Sequence, residues 1–349
     1  MFPVPDAASE YSFDPTAEVA EELQEEGTST AGLGPWQLAL RRLRRNRVAL
    51  AFLGLFFVIV ALCLAAPLYS KYVAEIGPNK NNLTGKIERD GEQVDIVTPD
   101  GTPVGPAFST EYLLGADANG RDVAVRLLYG GRNSLFVGFT AALITTLVAV
   151  ALGLIAGYFR GPSDTVIRSV FDILWSFPVL LFAIALGTAL AIGGLNLGPI
   201  HIEGGSLWIP TLVIGFVYIP YLGRPIRGQV LSLREKEFIQ SAEAQGMGSL
   251  RIMFGEILPN LASTVLVFGT LIVANNIILE AALSFLGAGI QPPNPSWGNL
   301  IAQGVDRLVT APHLAIVPGV AITLTVLSLN VFGDGLRDAL DPRAKLRLR

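Results

Sequence analysis

Six long apolar blocks constrain this chain more than any other feature: Val48–Leu68, Ser134–Phe159, Val170–Ile192, Leu207–Leu222, Leu261–Leu286 and Leu314–Val331. The first, about 21 residues, is enough to cross a hydrocarbon core of roughly 30 Å as a helix. In lipid every backbone N–H and C=O must be satisfied within the segment, so blocks of this length read as membrane helices. Composition agrees. The 349 residues are 51% hydrophobic and only 15% charged, with a mean hydropathy of +0.51, outside the usual soluble range. The expected fold class is an all-α polytopic membrane protein with six transmembrane helices.

Charge placement orients the bundle. Five arginines in Arg41–Arg47 abut the first block, which places its start in the cytoplasm under the positive-inside rule. The block begins too late and runs too long for a cleavable signal peptide, so it is expected to be an anchor helix. Segments 41–47, 159–168, 222–260 and the C-terminus would then face inward, holding 17 of the 25 Lys and Arg. Both termini are predicted to be cytoplasmic. Residues 1–35 carry eight acids before residue 27 and no Lys or Arg there, a composition expected of a disordered acidic tail. The expected organisation is therefore a tail at 1–35, a first helix with a long extracytoplasmic loop over 36–133, and a domain of the other five helices over 134–349.

Within the long loop, Asp90-Gly91 between short alternating runs predicts a hairpin. Beyond it, Leu113–Gly138 reads LLGADANGRDVAVRLLYGGRNSLFVG. Asp117 is a candidate N-cap there, with Val123, Leu127 and Leu128 as the apolar face of a helix expected to lie on the outer membrane surface, direct substrate contact being the alternative.

Arg234–Asn260 is a polar island between two apolar blocks. Phe238, Ile239 and Ala242 share one side of a 3.6-residue repeat, predicting a short amphipathic helix. Gly246 and Gly248 would break it, and a second short helix through Leu250, Ile252, Met253 and Ile257 would end at Pro259. The island resembles the coupling loop of ABC-importer permeases, whose pattern is E-A-A, three residues, G, nine residues, I-x-L-P. Here the matching positions are Gln240, Ser241, Ala242, Gly246, Leu258 and Pro259, with Glu256 where the family has isoleucine.

The resemblance extends in order along the chain. The Leu113–Asp122 stretch is similar to L-G-T-D-x-x-G-R-D of the dipeptide/oligopeptide/nickel permease family, with Ala116 for Thr. Glu280–Gly287, Gln291–Gly298 and Phe332–Arg343 resemble further segments of it, so that about residues 36 to 347 are covered. It implies a type I importer permease fold: a five-helix core preceded by one N-terminal helix. It further implies an ATP-driven importer of peptides in a bacterial or archaeal inner membrane. The implied partners are a second permease chain, two ATP-binding subunits that hold ATP and Mg, and an extracytoplasmic solute-binding protein. Phe238, Ile239 and Ala242 would supply a mainly apolar contact to the ATPase, and Gly246 would allow the turn.

The chemistry of the chain itself is sparse. No G-x-x-x-x-G-K-[ST] loop occurs, so ATP must be hydrolysed elsewhere. Nor is there a G-x-S-x-G or H-E-x-x-H motif of a membrane hydrolase. One Cys and two His leave no soft-metal cluster, which favours peptides over nickel or another small solute. Nothing indicates nucleic acid, and lipid is the surrounding partner. Intramembrane acids usually face protein or a water-filled path. Glu280, with Asn275 and Asn276 before it, is therefore a path candidate, an interhelical hydrogen-bonding role being the alternative. Asp172 and Asp334 are expected at helix boundaries. A secondary transporter using Glu280 as an ion site is the rival function.

Overall fold

The computed structural model describes residues 34–89, 91–106 and 110–341. The acidic tail up to residue 33, and Pro342 and Arg343 of the last motif, lie outside the described residues.

The arginine-rich flank is itself a helix, α1 (Pro35–Arg45). Asn46 then caps α2 (Arg47–Leu64), its Oδ1 accepting from the Ala49 N–H at 3.0 Å. Most of α2 is exposed, as suits a peripheral helix facing lipid. After α3 (Ala66–Tyr72), the long loop contains the predicted hairpin: β1 (Lys86–Arg89) and β2 (Glu92–Asp95) pair antiparallel, Lys86 with Asp95 and Arg89 with Glu92. Gly91 turns the chain at φ 85°, a left-handed conformation that glycine adopts without a Cβ clash. Ile87, Ile96, Val104, Tyr112 and Ala116 give this loop its own small core.

The second span departs from the expected surface helix. The helix α4 runs unbroken from Val123 to Phe159, about 56 Å for its 37 residues, so the segment expected to lie on the membrane is the N-terminal part of the long helix itself. Its N-cap is Asp122 rather than Asp117: Asp122 Oδ1 accepts from Val125 N at 2.9 Å and Oδ2 from Tyr112 N at 2.8 Å. Asp117 instead organises the preceding turn. Its Oδ1 accepts from the Asn119 and Arg121 amides, and its Oδ2 meets Arg121 Nε at 2.7 Å and Arg126 Nε at 3.4 Å. Of the expected apolar face, Val123 is buried while Leu127 and Leu128 are half-buried.

The third block is also not one straight helix. It divides into α5 (Gly161–Ser176) and α6 (Val179–Gly193), bent by 89° at Phe177-Pro178. Pro178 offers no N–H and disfavours helical geometry in the residue before it; Phe177 is accordingly extended, at φ −91° and ψ 139°. A short hairpin, β3 (Leu195–Leu197) and β4 (Ile200–Ile202), follows. Then come α7 (Trp208–Val217) and α8 (Ile219–Arg234), which extend the expected 207–222 block by another three turns. The remaining elements are α9 (Glu237–Ala244), α10 (Ser249–Ile252), a π-helical turn (Met253–Ile257), α11 (Leu258–Phe285), α12 (Trp297–Val305) and α13 (His313–Leu340). Five helices among the described residues are long and apolar enough to cross a membrane, or six when the bent α5–α6 pair counts as one span.

The helix α4 is the axis of the bundle, packed by α2, α7, α8 and α11, while α13 packs on α2, α11 and α12. Glycine sets the α4–α8 spacing. A Cβ at Gly153 would stand 2.7 Å from Ile226 Cγ2 and 3.2 Å from the Arg227 nitrogen, so only a residue without a side chain admits this approach. The largest apolar core runs down this seam and continues into α9, the π-turn and the start of α11.

Candidate functional site

The Arg234–Asn260 island emerges at the end of the bundle predicted to be cytoplasmic, and it is fastened there. Arg234 Nη1 donates to Tyr158 O at 2.6 Å with its guanidinium 5.4 Å from the Tyr158 ring, and Arg160 pairs with Glu235 at 2.8 Å. Both contacts tie the loop's entry to the C-terminal end of α4. Within α9, Ile239 is fully buried and Ala242 nearly so, in the cluster that holds Val230, Ile252, Ile257 and Leu261. The opposite face is open: Phe238 is 40% exposed, and Gln240, Ser241 and Glu243 are exposed.

This burial corrects the expected division of labour. Ile239 and Ala242 are spent on the chain's own core, so the outward surface is one aromatic ring among polar side chains rather than an apolar patch. The 3.6-residue pattern located the buried side of α9 but does not say what that side is buried against.

Gly246 ends α9 as the spacing predicted, at φ +78°. Its N–H donates to Glu243 O at 2.9 Å and the Met247 N–H to Ala242 O at 3.1 Å, the pair of bonds that closes a Schellman motif around a left-handed residue. No heavy atom lies within 4 Å of where a Cβ would stand. Glycine is therefore required here by the backbone, not by crowding.

The second half differs from two short helices. From Ser249 the chain is helical through the π-turn and on to Phe285, a single span of 37 residues. Leu258 is half-buried, and Pro259 is exposed in the first turn of α11, the place expected for its missing N–H, although no break separates that turn from the helical segment before it. The widened π-turn directly precedes Pro259, whose ring would otherwise meet the carbonyl four residues back, that of Gly255. The loop is thus one short helix and a tight turn at the root of a long rod.

At the opposite end, Glu280 is completely buried. Ser284 Oγ donates to Glu280 Oε1 at 2.6 Å, and the Ser134 and Ser296 hydroxyls border the same carboxylate, while Oε2 has no partner among the described residues. The neighbouring bonds form a knot. The Ile290 amide donates to Ser284 Oγ at 2.9 Å, the Trp297 amide to Ser134 Oγ at 3.2 Å, and Trp297 Nε1 to Leu127 O at 3.1 Å. Ser296 and Asn299 close a capping box on α12. The family-like segments at 280–287 and 291–298 therefore meet in space and pin the 286–296 loop and α12 against α4. Asn276, also fully buried, bridges α11 to α4: its Nδ2 faces Gly138 O at 3.5 Å, and with the amide turned over it would donate to Ile272 O at 3.2 Å and accept from Ala142 N at 2.9 Å. Asn275 is half-buried. For Glu280 and Asn276 this geometry favours the interhelical alternative over an open path.

Asp334 is exposed near the end of α13. Asp172 caps no helix; it meets Arg224 of α8 at 2.8 Å, a partnership between residues 52 positions apart that no local pattern signals.

Comparison with known proteins places this architecture. The model for binding-protein-dependent transport system inner membrane components matches residues 149–346, and the model for the N-terminal transmembrane domain of oligopeptide transport permease C matches residues 34–84. The dipeptide transport system permease protein DppC of Alkalihalophilus pseudofirmus is 38% identical over 90% of this chain and 91% of its own length. The glutathione transport system permease protein GsiD of Pectobacterium atrosepticum is 36% identical over 89% and 92%, and the oligopeptide transport system permease protein OppC of Haemophilus influenzae is 34% identical over 94% and 93%. Among solved structures, the methionine ABC transporter MetNI in an inward-facing form aligns with a TM-score of 0.51 at 15% identity, over 62% of this chain and 96% of that one. That likeness concerns the fold alone, which is the type I importer permease fold. With its later helices matched to one family model and its first helix to the other, this chain belongs to the family of binding-protein-dependent transport system inner membrane components.

Proposed function

We propose that the chain is one of two permease subunits of an ATP-driven peptide importer, with both termini and the 234–260 loop in the cytoplasm. The names of the relatives, which refer to dipeptide, oligopeptide and glutathione transport, support a peptide as the cargo. A different permease chain completes the path. An extracytoplasmic binding protein delivers the peptide, and two ATPase subunits hold ATP and Mg. This chain contributes no nucleotide site and hydrolyses nothing.

The observation that carries the reading is the joint burial of α9 and the π-turn in one core. Ile239 and Ala242 pack in the same cluster as Ile252, Met253, Ile257 and Leu261, so a force applied to the open face of α9 is delivered to the foot of a helix that continues to Phe285. Close-packed interiors transmit such a displacement rather than absorb it. Phe238, Gln240, Ser241 and Glu243 are the residues left to meet an ATPase.

The test is reconstitution. The purified chain alone has no ATPase activity, and import of a labelled dipeptide into vesicles appears only when the second permease, the ATPases and the binding protein are all present. ATP hydrolysis by the pure chain would overturn this reading. Uptake of labelled nickel that di- and oligopeptides fail to compete would overturn the cargo.

A further inference from the structure

Asp172 and Arg224 form an ion pair on an open face between α5 and α8. Arg224 Nη2 stands 2.8 Å from Asp172 Oδ1, and the two side chains remain 39% and 58% exposed. Two residues further on, Ile226 packs against Gly153 of α4, a helix that carries no charged residue from Asn133 to Phe159. Gly153 lies six residues, about 9 Å, before the inner end of that helix. The pair therefore opens outward from the chain beside the uncharged part of α4, and a second ion pair, Arg227 with Asp164, joins the same two helices next to it. Charges on a membrane helix bundle usually face protein or a water-filled path rather than lipid.

The surroundings are built. Gly223 lets α5 come close enough for the pair to form, since a Cβ there would stand 2.5 Å from the Phe171 ring. The Arg224 guanidinium lies 4.5 Å from the centroid of the Trp175 ring and also donates to Phe171 O at 3.3 Å. Trp175 in turn meets Tyr221 with ring centroids 6.2 Å apart, and Tyr221 meets Phe268 of α11 at 6.4 Å.

A second, independent feature adjoins it. One residue past Trp175 the helix ends, and the chain bends by 89° at Phe177-Pro178. The last carbonyls of α5 thus have no backbone partner within the helix, Ile173 O accepting from Ser176 Oγ at 2.7 Å, and broken backbone within a membrane bundle is tolerated where it borders protein or a water-filled cavity.

We propose that the Asp172–Arg224 pair, with Trp175 and Tyr221, lines the translocation path and receives the charged ends of a zwitterionic peptide. The peptide ammonium replaces the guanidinium at Asp172 and is completed by the α5 carbonyls, and the peptide carboxylate replaces Asp172 at Arg224 in a two-pronged contact. Such a station reads the termini that all peptides share and ignores their side chains. The proposal rests on the peptide-importer reading above for its cargo, but the location of the pair on a path does not.

The experiment uses the complete transporter in lipid vesicles. Cys63→Ala removes the native thiol and Asp172→Cys introduces one beside Arg224. A charged, membrane-impermeant thiol reagent should modify that thiol at least tenfold faster than it modifies a lipid-facing control, Leu62→Cys, in the same background. Reaction with a lipid-soluble maleimide alone, or with neither reagent, would overturn the proposal. In parallel, Arg224→Gln should lower dipeptide import at least tenfold while the subunits still co-purify and hydrolyse ATP. Unchanged import would overturn it equally. Should Arg224→Gln fail to accumulate, Trp175→Ala, which keeps both charges, carries the same comparison with an expected loss of at least threefold, and import within twofold of the unsubstituted complex would overturn the proposal. If the unsubstituted complex imports no peptide, the proposed cargo fails, and thiol labelling still decides whether the pair lies on a water-filled path.

Discussion

Replacing Gly246 by Asn and by Asp separates the two things this position does. Its backbone sits at φ +78°, where an L side chain ordinarily costs roughly 1–2 kcal/mol, and Asn and Asp are the side chains that tolerate it best. Because no atom lies within 4 Å of the position of a Cβ, there is no steric term to add. Against that strain stands the anchoring of α9 by Ile239, fully buried, a side chain whose burial contributes about 1.5–3 kcal/mol. The loop should therefore keep its place in both variants, and both should insert and assemble at normal abundance. The two differ only by a charge on the open side of the turn. If that side meets the ATPase, Gly246→Asp places an unpaired carboxylate in the contact, and a typical coupling free energy of about 1–3 kcal/mol is of the size such a charge can cancel. Peptide import into vesicles and ATPase activity, measured on the same preparations, give the answer. Gly246→Asn should import at more than a third of the normal rate. Gly246→Asp should lose at least a further tenfold while its ATPases dissociate or hydrolyse without import. Equal import by the two variants would refute the docking of this face, and loss of both chains from the membrane would refute the claim that the strain is tolerable.

Two further substitutions probe the frame that holds the loop. Ile239→Ala empties a site in the core, a change that costs about 2–5 kcal/mol; α9 should detach, visible as protease cleavage between residues 237 and 248 and as loss of ATPase co-purification, with the membrane helices intact. Gly153→Leu would drive a side chain into Ile226 and the Arg227 backbone; the α4–α8 seam should separate and the chain should fail to accumulate in the membrane, whereas Gly228→Leu in the same seam helix, with nothing within 4 Å of its Cβ, should accumulate normally.

Much of the architecture was legible from local pattern because lipid imposes a local rule. A segment that cannot hydrogen-bond to its solvent must satisfy itself, so each apolar block in the sequence corresponds to a spanning helix or, for 170–192, to a broken one. The hairpin that turns at Gly91 and the left-handed turn at Gly246 were equally readable, since both depend on one residue's backbone freedom. Helix ends were less so. Asp117 and Asp122 are both plausible caps five residues apart, and the choice fell to Asp122 because the Tyr112 amide, brought back by the loop core, occupies its second oxygen. Pro178 broke its helix and Pro259 did not, because Pro259 follows a widened turn that removes the clash.

The sequence by itself determined that this chain is a bundle of membrane helices with a polar loop near residue 240, and, through its ordered motifs, which family it belongs to. Only the tertiary structure decided what the polar residues of that bundle do. It turned Ile239 and Ala242 inward, set the Ser134 hydroxyl of α4 beside the Glu280 carboxylate of α11, and set Asp172 against Arg224 on an open face. The physical reason is that periodicity records which side of a helix is buried or apolar, a property of one segment, whereas a hydrogen bond or an ion pair needs two groups brought within about 3 Å, and across 52 or more residues only the packing of the helices can do that.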